Sequence, residues 1–210
     1  MALLDSNIVN QLKAYFDKIN DSIELVSFLN DSDKSGELDS FLLEVDAISD
    51  KVNYTKKMFG EAKEAEDKSG ITRPVSFTIL KNGESTGINF YGIPGGHEFN
   101  SFILAILGLA GLGKKLEGEQ LAKIQSVNKP LNIETFISLS CTKCPEVVQG
   151  LNLISMANSN ITASLIDGGI YPEEVSEKNI QAVPVVFING KQAAVGAQTI
   201  EQLIDLVTNA

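Results

Sequence analysis

Three residue types are scarce in this 210-residue sequence, which has two cysteines, one histidine and no tryptophan. Small secreted scaffolds depend on larger sets of cysteines spread along the chain, so two neighbouring cysteines favour another role. A structural zinc site needs four ligands, and Cys141, Cys144 and His97 supply at most three of the cysteine and histidine type. We therefore expect neither a disulfide-rich scaffold nor a metal site in this chain.

Basic residues are also in deficit, because 17 lysines and arginines face 27 aspartates and glutamates, for a formal net charge of −10. Nucleic acids and anionic membranes attract clustered basic side chains, so neither is an expected partner. The longest apolar run, residues 102–112, is shorter than the roughly 20 residues that span a bilayer. No basic start followed by an apolar stretch precedes Asp5, so we expect no secretory signal and a cytoplasmic location.

The two cysteines form the motif Cys141-Thr142-Lys143-Cys144. Residues 131–139 have the pattern of a strand, and helical spacing begins at Pro145. About forty residues later, Val183-Pro184 opens an apolar run typical of a buried strand. A strand that ends in Cys-x-x-Cys at a helix start, followed by a Val-Pro strand, is the layout of a thioredoxin-type redox site.

This layout suits disulfide exchange, which needs a thiolate as the attacking group. At the first turn of a helix, Cys141 would face unpaired backbone N–H groups, and Lys143 would add positive charge. Cys144 is close enough in sequence to resolve a mixed disulfide formed at Cys141. If the Val183-Pro184 bond is cis, the backbone of Val183 would be free to pair with an incoming peptide.

The sequence repeats one plan twice, and its length suits two domains of about 100 residues. Each copy has an amphipathic helix, a strand, a helix, a strand, a Pro-x-x-Phe strand, an Asn-Gly turn and a last helix. In this alignment Cys141 and Cys144 correspond to Asp31 and Lys34, so the first copy lacks the redox pair. We predict an α/β fold with domains at 1–113 and 114–210, of which only the second is redox-active.

Several elements are expected at defined positions. The expected strands are 23–29, 52–55, 133–139 and 161–166, the expected last helices are 98–112 and 199–207, and the hairpin turns are Asn82-Gly83 and Asn189-Gly190. The charged stretch 56–70 is expected to be a surface loop or short helix, and 114–119 the linker between the copies.

Longer motifs resemble one known family over essentially the whole chain. They are Ser138-Leu139-Ser140-Cys141-x-x-Cys144-Pro145, Asn152, Ile166-Asp167-Gly168-Gly169, Val183-Pro184-x-Val186-Phe187-x-Asn189-Gly190-Lys191 and Gly95-Gly96-His97-Glu98-Phe99. Together they look like the N-terminal domain of the flavoprotein subunit of alkyl hydroperoxide reductase. The resemblance implies two fused thioredoxin-like folds. Ser140, in place of a tryptophan, separates the chain from ordinary thioredoxins.

The resemblance also implies a function for individual residues. Cys141 would attack the disulfide of a peroxiredoxin, the C subunit of that reductase, and Cys144 would resolve the mixed disulfide. Glu98, from the inactive copy, would assist proton movement. The loop residues Ser140, Thr142, Lys143, Val183 and Pro184 are expected to contact the partner. No cofactor is expected in this chain, and FAD and NADH would bind in the remainder of the full-length family protein.

Other interpretations remain open. An ordinary helix occupies the last residues, 200–210, so the chain is expected to be either a piece of the flavoprotein or a stand-alone relative served by a separate reductase. A broad-specificity protein disulfide oxidoreductase is the first alternative. Glu98 could serve only as a carboxylate favoured by a helix dipole. The acidic segment 31–39 resembles a calcium-binding loop, but its twelfth position is Leu42 rather than a carboxylate.

Overall fold

The computed structural model describes residues 4–210. The strands in this range are β1 Ile23–Leu29, β2 Val52–Met58, β3 Ser76–Lys81, β4 Glu84–Tyr91, β5 Leu131–Ile137, β6 Ile161–Asp167, β7 Val185–Ile188 and β8 Lys191–Val195. The helices are α1 Ser6–Phe16, α2 Asp33–Asp46, α3 Lys63–Ser69, α4 Phe99–Leu109, α5 Gly118–Gln125, α6 Cys144–Ala157, α7 Pro172–Glu177 and α8 Ile200–Thr208. A short 3₁₀ helix, Gly96–Glu98, precedes α4.

All of these strands belong to one eight-stranded sheet in the order β2-β1-β3-β4-β6-β5-β7-β8. The first four strands form one half and the last four the other, and each half has the same internal arrangement of parallel and antiparallel pairs. β4 and β6 pair in parallel, from Ile88 opposite Ala163 to Tyr91 opposite Ile166, and this pairing joins the halves. The expected α/β architecture of two thioredoxin-like units is confirmed. The sequence did not predict that the sheets of the two units join into one.

The apolar core also crosses between the halves. One cluster covers a face of the first half and includes Cys144 and Val148 of the second half. Another cluster is shared by both halves on one side of the sheet, where Phe28, Tyr91, Phe136 and Phe187 lie together. Because buried apolar area is the main source of folding free energy, these shared clusters couple the two halves.

The expected hairpin turns and the last helix have the predicted local chemistry. Asn82 and Gly83 have φ angles of 51° and 81°, as a two-residue hairpin turn of this type requires. Thr199 caps α8, since its side chain accepts a hydrogen bond from the Gln202 N–H while the Gln202 side chain accepts one from the Thr199 N–H.

Several predicted boundaries were wrong. β5 ends at Ile137 rather than residue 139, because the Leu139 carbonyl accepts a hydrogen bond from the His97 N–H instead of a strand partner. α4 ends at Leu109 rather than 112, because Gly111 turns the chain with a φ of 75°.

Two charged segments also differ from expectation. β2 continues to Met58, so only the later part of 56–70 holds a short helix, α3. α5 begins inside the expected linker 114–119, at Gly118. The proposed division at 1–113 and 114–210 falls in the connection between α4 and α5 and remains a prediction.

The calcium-loop alternative is contradicted by the backbone. A calcium loop of this type wraps its ligand positions around the ion, but α2 begins at Asp33, inside the segment. Asp39 instead accepts hydrogen bonds from the Tyr54 hydroxyl and the Lys56 ammonium group. Across residues 4–210 the structure contains no cluster of three acidic, cysteine or histidine side chains suited to a metal ion.

Candidate active site

Cys141 and Cys144 are joined by a disulfide, with their Cα atoms 5.6 Å apart. The pair lies between the end of β5 and the start of α6, as the motif predicts. Cys141 itself lies before the first helical turn, because α6 begins at Cys144 and Lys143 is its N-cap residue. The helix start still reaches the sulfur, since the Cys144 N–H points at Cys141 Sγ at 3.1 Å. This contact would stabilise a thiolate at Cys141.

The two sulfur-bearing residues differ in exposure. Cys141 is half-buried, whereas Cys144 is 0 % exposed and belongs to the apolar cluster shared with the first half. Ser140, Thr142 and Lys143 are exposed around Cys141. Only Cys141 is therefore open to a sulfur atom that approaches from another molecule.

The Val183-Pro184 loop lies against the disulfide. Its peptide bond is cis, and the Val183 carbonyl oxygen lies 3.8 Å from Cys141 Sγ. Pro184 is buried, and its carbonyl accepts a hydrogen bond from the Gly196 N–H at 2.8 Å. The structure thus brings the predicted loop residues and the cysteine pair together on one surface.

The inactive half contributes a segment to the same region. The His97 N–H donates to the Leu139 carbonyl at 3.2 Å, two residues before Cys141. Gly96 makes this approach possible, because its φ is 54° and a Cβ atom there would lie 2.5 Å from the Leu139 oxygen. The next residue, Glu98, is in the 3₁₀ helix, which packs against α6.

Glu98 has a buried carboxyl group whose oxygens lack hydrogen-bond partners among the described residues. Its side chain is 0 % exposed, and within residues 4–210 neither carboxyl oxygen has a hydrogen bond of good geometry. Burial raises the pKa of Glu98 from its ordinary 4.5 to about 7, and the nearby Ser101 side chain offsets part of that rise. A carboxyl group that titrates near neutral pH is suited to exchange protons in a reaction.

The corresponding region of the first half lacks this chemistry. Asp31 is exposed, and Lys34 forms an exposed ion pair with Glu37. Val183-Pro184 has the one cis peptide bond in the described part of the chain; the matching Pro74 is followed by Val75 with a φ of 61°. The first half therefore carries the fold without a dithiol.

A cavity near the site, with a mostly apolar wall and a few polar side chains, was not predicted from the sequence. It lies between α4 and α6, has a volume of about 130 Å³ and is lined in part by Ser101, Gln149 and Asn152. Asn152 belongs to one of the family motifs, but nothing in the local sequence indicates that it and Ser101 line the same cavity from two different helices.

A dithiol–disulfide pair beside a cis-proline loop on this fold defines a thiol–disulfide oxidoreductase domain. The family model described as a thioredoxin domain matches residues 131–208, which is the half with the cysteines. The described residues include no helix with the length and apolar character needed to cross a bilayer.

Comparisons with known proteins define the family. The NTD_N/C domain of alkylhydroperoxide reductase AhpF from Enterococcus faecalis (V583) is 33 % identical, with a TM-score of 0.90 over 97 % of this chain and 99 % of that one. The F subunit of alkyl hydroperoxide reductase from Escherichia coli (strain K12) is 39 % identical over 96 % of this chain. The chain belongs to the family of AhpF N-terminal domains. It spans 37 % of the length of that Escherichia coli relative.

A protein disulfide oxidoreductase from Aeropyrum pernix K1 has a similar structure, with a TM-score of 0.87 over 99 % of this chain. Its sequence identity is 19 %, so the similarity shows a shared fold.

Proposed function

We propose that this chain passes two electrons from a flavoprotein reductase dithiol to the disulfide of a peroxiredoxin, the C subunit of an alkyl hydroperoxide reductase system. FAD and NADH bind in the reductase part, and the reduced peroxiredoxin removes hydroperoxides. The reaction takes place in the cytoplasm. The observation that carries the proposal is the asymmetric pair: a half-buried Cys141 held by a helix N–H, and a fully buried Cys144 behind it.

The exchange begins at Cys141. Its thiolate attacks one sulfur of the partner disulfide, so a mixed disulfide forms and the other partner sulfur leaves as a thiolate. The exposed residues Ser140, Thr142 and Lys143 contact the partner around this bond, and the backbone at Val183 and Pro184 positions its chain.

Cys144 completes the transfer. The Glu98 carboxylate takes the proton of the Cys144 thiol, and the new thiolate attacks Cys141 Sγ. The mixed disulfide breaks, the second partner sulfur leaves as a thiolate, and the Cys141–Cys144 disulfide forms. The two partner thiolates take up protons from solvent. Two electrons have then moved to the partner, and the reductase dithiol restores the cysteine pair.

A trapping experiment tests this order of events. Cys144→Ser, once reduced and mixed with an oxidised peroxiredoxin, should accumulate a mixed disulfide between Cys141 and the partner, which non-reducing electrophoresis and peptide mass spectrometry detect. Cys141→Ser should form none, and it should not reduce the peroxiredoxin. A Cys141→Ser protein that still reduces the peroxiredoxin would contradict the proposal.

A further inference from the structure

The cavity between α4 and α6 opens towards solvent beside exposed Leu104 and Lys114. The two helices approach closely where Gly108 meets Met156, at 3.0 Å from a Cβ placed on the glycine. Further along, the walls enclose a mostly apolar space to which Ser101, Gln149 and Asn152 add polar groups. This volume, about 130 Å³, is large enough for a few water molecules, and the three polar side chains offer them partners.

The polar groups form a series that leads towards Glu98. Gln149 Nε2 donates to Ser101 Oγ at 3.2 Å, and Ser101 is fully buried. Ser101 in turn is near enough to Glu98 for its side chain to lower the pKa of that carboxyl group, although the two form no hydrogen bond of good geometry. The cavity is therefore connected to the buried carboxyl group through a single hydroxyl.

Asn152 gives an independent indication of a ligand. Its side chain lines the cavity and is 5 % exposed, yet its Nδ2 has no hydrogen-bond partner in the described part of the chain. Leaving a buried amide donor without a partner destabilises the folded protein. A small acceptor in the cavity removes this cost, and water is the acceptor that fits the volume and reaches it from solvent.

We propose that Asn152 and Gln149 hold water in the α4–α6 cavity, and that the Ser101 hydroxyl connects this water to the Glu98 carboxyl group. Asn152, Gln149 and Ser101 are then positioning residues for proton transfer at Cys144. This rests on the proposed role of Glu98. The water keeps the ionised carboxylate accessible in an otherwise apolar region. In its absence the pKa of Glu98 would rise further, and a smaller fraction of the carboxyl groups could accept the Cys144 proton at neutral pH.

No charged side chain contributes to the shift of the Glu98 pKa, which burial and Ser101 determine. The titratable and charged groups on the surrounding elements are Lys114 at the cavity, His97, Cys141, Cys144 and Glu146 near the start of α6, and Lys34, Glu37 and Asp167 across the groove beside Gly96. A substitution of the uncharged Asn152 alters none of these charges, so its effect on the pKa of Glu98 reports the surroundings of the cavity.

The test uses the 210-residue chain and a small aromatic disulfide, 5,5′-dithiobis(2-nitrobenzoate), so no peroxiredoxin is needed. Reduced protein releases one coloured thiolate when Cys141 attacks and a second when Cys144 resolves the mixed disulfide. We expect the rate of the second release to rise with pH through about 7, the pKa of Glu98. Glu98→Gln should remove this titration; a persisting titration would overturn the role of Glu98 itself.

Asn152→Leu replaces the amide that holds the water with an apolar side chain of similar size. The midpoint of the pH profile should then rise by about one unit, which lowers the second release about fivefold at pH 7 and restores it at high pH. Met156→Leu, an apolar change in the same wall, should leave the midpoint in place. Asn152→Ser, which retains room and a donor for water, should also retain it.

The outcomes distinguish the proton-transfer role of Glu98 from its hydration through the cavity. A Glu98-dependent titration that Asn152→Leu leaves unmoved would overturn the hydration inference while the role of Glu98 stands. A loss of rate that is equal at every pH would mean that Asn152 is only structural, and this also overturns it. An ordered water on Asn152 Nδ2 in a high-resolution crystal structure would support the inference, and an empty cavity there would contradict it.

Discussion

Arg73 of the first half donates a hydrogen bond from Nη2 to the Glu134 carboxylate of the second half at 2.9 Å. Arg73 is the single arginine of the chain, and its side chain is 17 % exposed against 15 % for Glu134. Its guanidinium group also lies 4.4 Å from the Tyr91 ring centre, and its Nε lies 3.1 Å from Glu174 without good hydrogen-bond angles. One side chain thus links both halves beside the β4–β6 junction.

Arg73→Ala should lower the free energy of unfolding by about 2–4 kcal/mol, because it leaves Glu134 as a half-buried carboxylate without its partner. Urea unfolding measures the change. Lys34→Ala, which breaks the exposed pair with Glu37, is the matched control and should cost less than about 1 kcal/mol. Equal losses in the two variants would show that Arg73 does not couple the halves.

The buried Glu98 makes stability depend on pH. Its folded pKa of about 7 is above the ordinary 4.5, so the folded state holds the proton more tightly than the unfolded state. That contribution is complete below pH 4.5 and is lost as the pH rises through 7. The ionised group then costs about 3 kcal/mol.

Glu98→Gln removes this titration. In the oxidised protein, where the cysteines do not titrate, the variant should be more stable than the parent at pH 8 and gain much less at pH 5. Urea unfolding at the two pH values measures the difference. An equal effect of the substitution at both values would contradict a raised pKa.

Gly96 is required for the contact between the inactive half and Leu139. Gly96→Ala combines a left-handed backbone with a Cβ atom 2.5 Å from a carbonyl oxygen, so it should cost clearly more than the 1–2 kcal/mol of the backbone alone, roughly 3 kcal/mol or above. Gly111→Ala has a similar φ, 75°, and open space around it, so it reports the backbone cost. Thermal unfolding compares them, and an identical loss would rule out the close approach.

Asp31 occupies the position that matches Cys141 in the first half, and it is exposed. Asp31→Ala should therefore leave the rate of peroxiredoxin reduction within about twofold of the parent and change stability by less than about 0.5 kcal/mol. Steady-state turnover with the reductase and peroxiredoxin checks this. A large loss of turnover would show that the strand-to-helix turn of the first half, and not only Glu98, takes part in the chemistry.

Local patterns predicted part of this architecture. The Asn82-Gly83 and Asn189-Gly190 turns follow from residues that tolerate positive φ, and the Cys-x-x-Cys position follows from the end of β5. The β4–β6 pairing could not be predicted, because a strand pattern does not show which edges of two sheets meet.

The surroundings of Glu98 also could not be predicted from the sequence. Gln149 and Ser101 are 48 residues apart on different helices, and their contact depends on how α4 and α6 cross. The raised pKa of Glu98 likewise depends on burial, and the 3₁₀ helix that holds Glu98 contacts both α4 and α6, which no segment around residue 98 reveals. Its role could be suggested only by family resemblance.

The reduction midpoint of the Cys141–Cys144 pair tests the central claim most directly. The 210-residue chain would be equilibrated in dithiothreitol or glutathione buffers, and the free thiols trapped and counted by mass spectrometry. A donor of electrons to a peroxiredoxin should have a two-electron midpoint at or below about −230 mV, in the range of cellular reductants. A midpoint near −120 mV would make the pair an oxidant and contradict this account.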